Sequence, residues 1–416
     1  MPTPLLVTGF EFGTMAGQIT GTIGLRLFDD VSGAPSIVSG GRNGAYELRV
    51  NPSASTQYAG WLSTGVIGAS KTVLVVSFAF KFSGALPTSD VIIAYLQNNA
   101  AADSALWFRN SDDKLMVLHN DTTGTAAVGP VIVADTWYHA QIRYNVAAAT
   151  HTVEWEIDGV AQTQFNGGGT AGTLLAFAFG NMFGTATMDL RVDDVMFGTT
   201  SADYPFDDHK VVMLIPDTSA TAALIAGATA NSLARFTANA TADTTFNSAN
   251  VLAATSEVPP LIGATATGVC QRTAGAANAV EIPMTSYTLG AGETISGVRV
   301  VVCGWAGSAT ANNLSIRTFN GTTETTLLAT SDPGFDNSTT APAWYCKMAT
   351  GADFNDQTQL NAMAIRLGYS TDIAPLPGAH AIYAEVAVKL STGATPRPLQ
   401  RRVYDRPRQR RRAVLT

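Results

Sequence analysis

The stretch Thr152-Val153-Glu154-Trp155-Glu156-Ile157-Asp158-Gly159 decides the fold class. Val153, Trp155 and Ile157 alternate with Glu154, Glu156 and Asp158. A two-residue period puts one set on a buried face and the other in water, which is a half-buried β-strand. Asp158-Gly159 then supplies residues that tolerate the positive φ of a tight hairpin.

Outward from this strand the chain reads as strands nearly throughout. Val73–Phe82, Val91–Leu96, Leu115–His119, Trp137–Tyr144, Leu174–Phe179 and Met188–Phe197 are short apolar or alternating runs, separated by clusters of Gly, Asn, Asp, Ser and Pro. Such spacing predicts a sandwich or barrel rather than βαβ units. Gly198 to Asp208 closes this region, and Lys210–Ile215 opens a new one. Residues 217–250, rich in Ala, Thr and Asn, predict a helical turn or a long loop. Strands are predicted again at Thr265–Cys270, Ala279–Met284, Ile295–Gly304, Leu314–Phe319, Thr325–Ala329, Leu360–Leu367 and His380–Leu390. The expected architecture is all-β: a jelly-roll sandwich over residues 1–200, a second β-sandwich over 205–390 and an extended basic tail over 391–416.

Composition agrees. The 416 residues are too many for one ordinary core. Charged residues make up 14%, against a usual share of about 25%. That is a poor composition for a free cytosolic enzyme, and it suits strands carrying small polar side chains. The first residues lack a basic segment followed by an apolar one, so no signal peptide is expected. No apolar run approaches the roughly 20 residues that span a bilayer, so no membrane partner is expected. Cys270, Cys303 and Cys346 are odd in number and lack CxxC spacing, so they read as small buried hydrophobes.

The net charge of −7 hides an asymmetry. The tail holds eight arginines (Arg397, Arg401, Arg402, Arg406, Arg408, Arg410, Arg411, Arg412) and one acid, Asp405. The remainder has 17 bases against 31 acids, a net −14. The tail has three readings, a disordered solvated end, a nucleic-acid binder or an interaction arm docking on acidic neighbouring subunits, and the last is preferred. An acidic body with no other basic patch argues against nucleic acid as the partner.

Three further pieces carry a resemblance. Thr136-Trp137-Tyr138-His139-Ala140, Thr152 to Val160, and Leu190-Arg191-Val192-Asp193-Asp194-Val195-Met196-Phe197 resemble, in that order, strands of the concanavalin A-like jelly-roll family in its laminin-G-like form. With Phe10-Glu11-Phe12 the likeness covers roughly residues 1–200. The joining run Gly198 to Pro216, and Ile295 to Val300 beyond it, resemble minor tail proteins of tailed bacteriophages. That resemblance implies a non-enzymatic structural component of a virion, made in the host cytoplasm and placed at the tail or its tip. It implies other virion proteins and further copies of the chain as partners, with a host-surface glycan as a further contact. A capsid decoration or head-fibre protein with a carbohydrate-binding jelly-roll is the alternative, and a glycan hydrolase ranks last.

The candidate chemistry is sparse. Glu156-Ile157-Asp158 begins like a glucanase motif, but Ala161 stands where the next acid belongs, so a solvated strand face is expected. Asp112-Asp113 and Asp193-Asp194 are the only candidates for calcium. Neither has enough nearby acids, so no cofactor is expected. The five histidines show no HxH or HExxH spacing, and Gly167-Gly168-Gly169 lacks the Lys-Ser/Thr of a phosphate loop. Tyr58, Trp61, Trp107 and Phe108 are the candidate aromatics for a sugar platform or a subunit interface, with packing in the core or at an interface the favoured reading.

Overall fold

The computed structural model describes residues 4–10, 28–99, 103–119, 126–214, 223–224, 236–238, 270–272, 280–305, 314–328, 343–349, 353–369 and 378–391. Among them the chain is all-β, with four antiparallel sheets, one short α-helix, α1 (Gln357–Asn361), and one turn of 3-10 helix at Ser201–Asp203.

Strands are numbered in chain order. The nine-stranded sheet runs β13 (Val160–Ala161), β12 (Thr150–Ile157), β11 (Tyr138–Asn145), β6 (Val73–Phe82), β16 (Leu190–Gly198), β4 (Tyr46–Val50), β3 (Ser36–Ser39). β1 (Leu6–Thr8) also pairs with β16, and β14 (Phe165–Gly168) with β12. The seven-stranded sheet runs β10 (Ala127–Val131), β9 (Lys114–His119), β8 (Ser104–Arg109), β7 (Val91–Asn98), β15 (Leu174–Thr187), β5 (Ser53–Leu62), β2 (Asp30–Ser32). These two sheets form the first sandwich. Its core holds Val153, Trp155 and Ile157 of β12, Phe78 and Phe80 of β6, and Phe177 and Phe179 of β15. The quoted strand therefore buries the face its alternation predicts. Asp158 and Gly159 both take positive φ, 50° and 74°, at the hairpin. Each large side chain buried here contributes about 1.5–3 kcal/mol.

The six-stranded sheet runs β19 (Phe236–Ala238), β20 (Cys270–Arg272), β27 (Gly378–Lys389), β22 (Thr294–Trp305), β25 (Ala343–Ala349), with β17 (His209–Leu214) also on β27. The five-stranded sheet runs β18 (Ala223–Leu224), β21 (Val280–Pro283), β26 (Ala364–Tyr369), β23 (Leu314–Phe319), β24 (Glu324–Leu328). Val298, Val300, Val386 and Val388 of the six-stranded sheet meet Ile282, Ile316, Ile365 and Leu367 of the five-stranded one in a second core.

The outer face of the nine-stranded sheet packs on the outer face of the six-stranded one. Val7, Val75, Met196, Phe206, Val211 and Ala387 form a small core of their own there. Beside it Arg299 and Glu385 form an ion pair, 2% and 0% exposed at their side chains.

Several sequence expectations are corrected. Leu360 and Asn361 close α1 rather than opening a strand; Asp356 caps that helix by accepting from Gln359 N at 2.8 Å. Within 217–250 the described residues are strands, β18 and β19, and no helix is seen among them. β1 to β5, β8, β10, β13, β14, β18, β19 and β25 were not expected. The predicted strand Thr265–Cys270 lies, apart from Cys270, outside the described residues, as do 392–416 and with them the eight tail arginines. The three cysteines fall on β20, β22 and β25, and their side chains also lie outside the description.

Candidate functional site

The four expected aromatics do not converge. Trp61 is fully buried, stacked on Phe177 with ring centroids 5.7 Å apart and edge-on to Phe179 and Phe197. Phe108 is buried edge-on to Phe82 at 5.3 Å. Both belong to the first core, which corrects their candidacy for a sugar platform or interface. Tyr58 and Trp107 lie half-buried on the opposite face of the seven-stranded sheet. Tyr58 donates to Asp30 at 3.1 Å, and Trp107 packs against buried Ile92, Tyr95 and Ala105. They are separated by β15 and β7.

A different group is assembled on the outer face of the nine-stranded sheet. On β11 Tyr138, Ala140, Ile142 and Tyr144 point to the core. Trp137, one residue before Tyr138, therefore faces outward and is half-buried. Lys81 Nζ sits 4.4 Å from the centre of its ring. In register, Lys81 lies opposite Arg191, and Arg191 opposite Arg49. Trp137, Lys81, Arg191 and Arg49 thus form one row across four adjacent strand positions, about 14 Å end to end at the usual strand spacing.

Like charges directly opposite one another destabilise a sheet. Two carboxylates offset this. Glu47, nearly fully buried, accepts from Arg191 Nη1 at 2.6 Å and lies 3.3 Å from Lys81 Nζ. Asp189 accepts from Arg191 Nε at 2.6 Å and from Arg49 Nη2 at 2.8 Å. Burial pushes the Glu47 carboxyl above its usual range, against Lys81 and Arg191. Burial would lift Asp189 too, but hydrogen bonds from Arg191 and Arg49 hold it below the usual range. Three cations against two anions leave the row positive within an acidic chain.

A second polar cluster lies at the junction of the sandwiches. Ser77 Oγ is 2.7 Å from His139 Nε2 and 3.4 Å from His209 Nδ1. Asp208 takes both Arg42 Nη atoms at 2.7 Å. Asp194 accepts from Val211 N at 2.7 Å and from Asn43 at 2.6 Å, and Asp193 accepts from Arg42 N at 2.6 Å. Burial pushes His139 down to about 3, His209 down to about 4 and Asp194 up to about 6. Ser77, His139 and Asp208 are the residue types of a nucleophilic triad, but the geometry is not one. The nearest Asp208 oxygen, at 3.8 Å, faces the same imidazole nitrogen as Ser77. A triad needs the acid on the other nitrogen. Ser77 is also fully buried, out of a substrate's reach.

The remaining candidates are structural. Glu154 pairs with Arg143, and Glu156 accepts from Gln141 at 3.4 Å, so this face is half-buried rather than openly solvated. Asp193 and Asp194 close the sheet through the bonds above. Asp112 is held bidentately by Arg109 at 2.8 and 2.6 Å. No group of three or more potential metal ligands is found among the described residues.

No known family model matches the chain, and no curated protein does. Among solved structures it is similar to a Trypanosoma rangeli sialidase at 12% identity and a TM-score of 0.30, over 44% of this chain and 31% of that one. The chain thus spans about a third of that sialidase's length. It is also similar to a cellulose-induced protein, Cip1, at 11% identity and a TM-score of 0.32, over 41% and 88% of the two chains. A third is the alginate lyase AlyC3, at 5% identity and a TM-score of 0.28, over 36% and 74%. These findings correct the expectation of a bacteriophage virion component: the structures found are named as glycan-active enzymes and a cellulose-induced protein, not as virion proteins. At such identities and TM-scores they carry no activity or substrate over to this chain.

Proposed function

We propose that this chain is a non-catalytic glycan-binding β-sandwich protein, whose first half is a concanavalin A-like jelly-roll spanning about residues 1–200 and whose second sandwich spans about 205–390. The observation that carries the reading is Trp137, half-buried at one end of an ordered row of hydrogen-bond donors. Lys81 takes one face of the indole; the other face suits the C–H face of a sugar ring, and fixed polar groups beside it suit the hydroxyls. The failure of Ser77, His139 and Asp208 to form a triad, together with the pairing of Glu154 to Arg143, favours binding over catalysis. Affinity electrophoresis of the full chain through gels containing different polysaccharides tests the reading. Retardation in at least one gel, lost in Trp137→Ala with the melting temperature unchanged, is the expected result. Unretarded migration in every gel overturns it.

A further inference from the structure

The sheet register places Lys81, Arg191 and Arg49 side by side on β6, β16 and β4. Burial of Glu47 accounts for Arg191 and Lys81, which neutralise it, but not for Arg49 beside them. Three neighbouring cations repel, and alternating signs would stabilise the same strands better. Glu47 and Asp189 do not sit within the row; they flank it, and each is shared by two cations. The shared carboxylates hold the guanidinium groups of Arg191 and Arg49 in fixed orientations. Donor capacity is left over. Arg49 uses Nε and Nη2 on Asp189, and its side chain is one-third exposed. Lys81, 16% exposed at its side chain, lies between Glu47 and the Trp137 ring and presents a smaller part of its ammonium.

We propose that the row recognises an anionic glycan, one bearing carboxylate or sulfate groups, with a sugar ring on Trp137 and the acidic groups of neighbouring rings on Lys81 and Arg49. The proposal rests on the glycan-binding reading above and names its ligand class. Guanidinium and ammonium donors in a line match acidic groups repeated along a chain, and charge-assisted bonds are about twice as strong as neutral ones. A neutral glycan would cover the exposed part of Arg49 without offering it a charge-assisted bond. In a chain whose body is acidic, a locally positive row also draws an anionic ligand to this face rather than another.

The test is a titration of the full chain with polygalacturonate, heparin, amylose and cellulose oligosaccharides. The arginine-rich tail would bind polyanions by charge alone, so a full chain with all eight tail arginines replaced by glutamine is titrated in parallel. Polygalacturonate or heparin is expected to bind the tail-substituted chain, with affinity falling as salt rises. Arg49→Ala, with unchanged melting temperature, and Lys81→Gln, with a lowered one because Glu47 loses an ion-pair partner, are each expected to weaken binding by the folded protein about tenfold at low salt. Arg191 is left intact, because its loss would strand Glu47. Binding to amylose or cellulose oligosaccharides alone, indifferent to Arg49→Ala, overturns the anionic class while leaving the glycan reading standing. Binding that vanishes with the tail arginines also overturns the proposal. Binding to none of the four overturns both.

Discussion

Thr8 Oγ1 donates to Glu385 Oε1 at 3.2 Å, joining residues 377 positions apart. Gly9 N donates to the same oxygen at 3.3 Å, and Arg299 holds the other oxygen. The first strand of one sandwich thus completes the buried ion pair of the other. Removing one partner of such a pair leaves a charge in a dry site, at a cost of about 3–5 kcal/mol. Glu385→Ala is expected to lower unfolding free energy by that amount in urea titrations, and Thr8→Val by about 1 kcal/mol.

Acid should destabilise the junction. His139 and His209 titrate near 3 and 4 in the folded chain, because burial penalises their charged forms. Unfolded, they titrate near 6.5. Between these values the unfolded chain binds more protons, so their stabilisation is complete above about pH 6.5 and is lost as pH falls toward 3. Asp194, pushed up to about 6 by burial, works in the opposite sense between about 4 and 6 and offsets part of this. The melting temperature should therefore fall from pH 7 to pH 4, and more shallowly in His139→Gln.

Glu47→Gln should strengthen binding of polygalacturonate severalfold, since it removes a negative charge from beside Lys81 and Arg191 without changing shape. Isothermal titration at low salt would check this; weaker binding would show that Glu47 is needed to orient the cations.

Glu154→Gln and Glu156→Gln should leave the fold intact. Each residue is half-buried at the surface, where such contacts are worth about 1 kcal/mol or less. Release of reducing sugar from any glycan, abolished by either change, would show the non-catalytic reading to be wrong.

A chain ending at Asp203 should fold alone into the first sandwich, with a β-type circular dichroism spectrum and a cooperative melt. It should melt below the full chain, because Asp208 and Val211 N no longer hold Arg42 and Asp194. Recovery only as aggregate would place the boundary elsewhere.

The fold was legible wherever one strand carried its own pattern. Val153, Trp155 and Ile157 buried the predicted face, and β6 and β23 run over the predicted residues. β5 was not legible. Tyr58-Ala59-Gly60-Trp61 has the small residues of a loop, and Trp61 is core only because Phe177 and Phe197 arrive from far along the chain. The cationic row was hidden for the same reason. Arg49, Lys81 and Arg191 are isolated cations in sequence, and only the strand order brings them together. Trp137 was within reach. Tyr138, Ala140, Ile142 and Tyr144 already announced the inward set, which left Trp137, His139, Gln141 and Arg143 facing out.

The link between Thr8 and Glu385 also has a consequence in time. A ribosome delivers β1 long before β27, so the seam between the sandwiches cannot close until Glu385, 377 positions beyond Thr8, has been made. Until then Val7, Val75 and Met196 lack Ala387, which helps cover them in the finished protein. The nascent first sandwich therefore carries a partly covered apolar strip throughout synthesis of the second, and β27 is the strand that seals it.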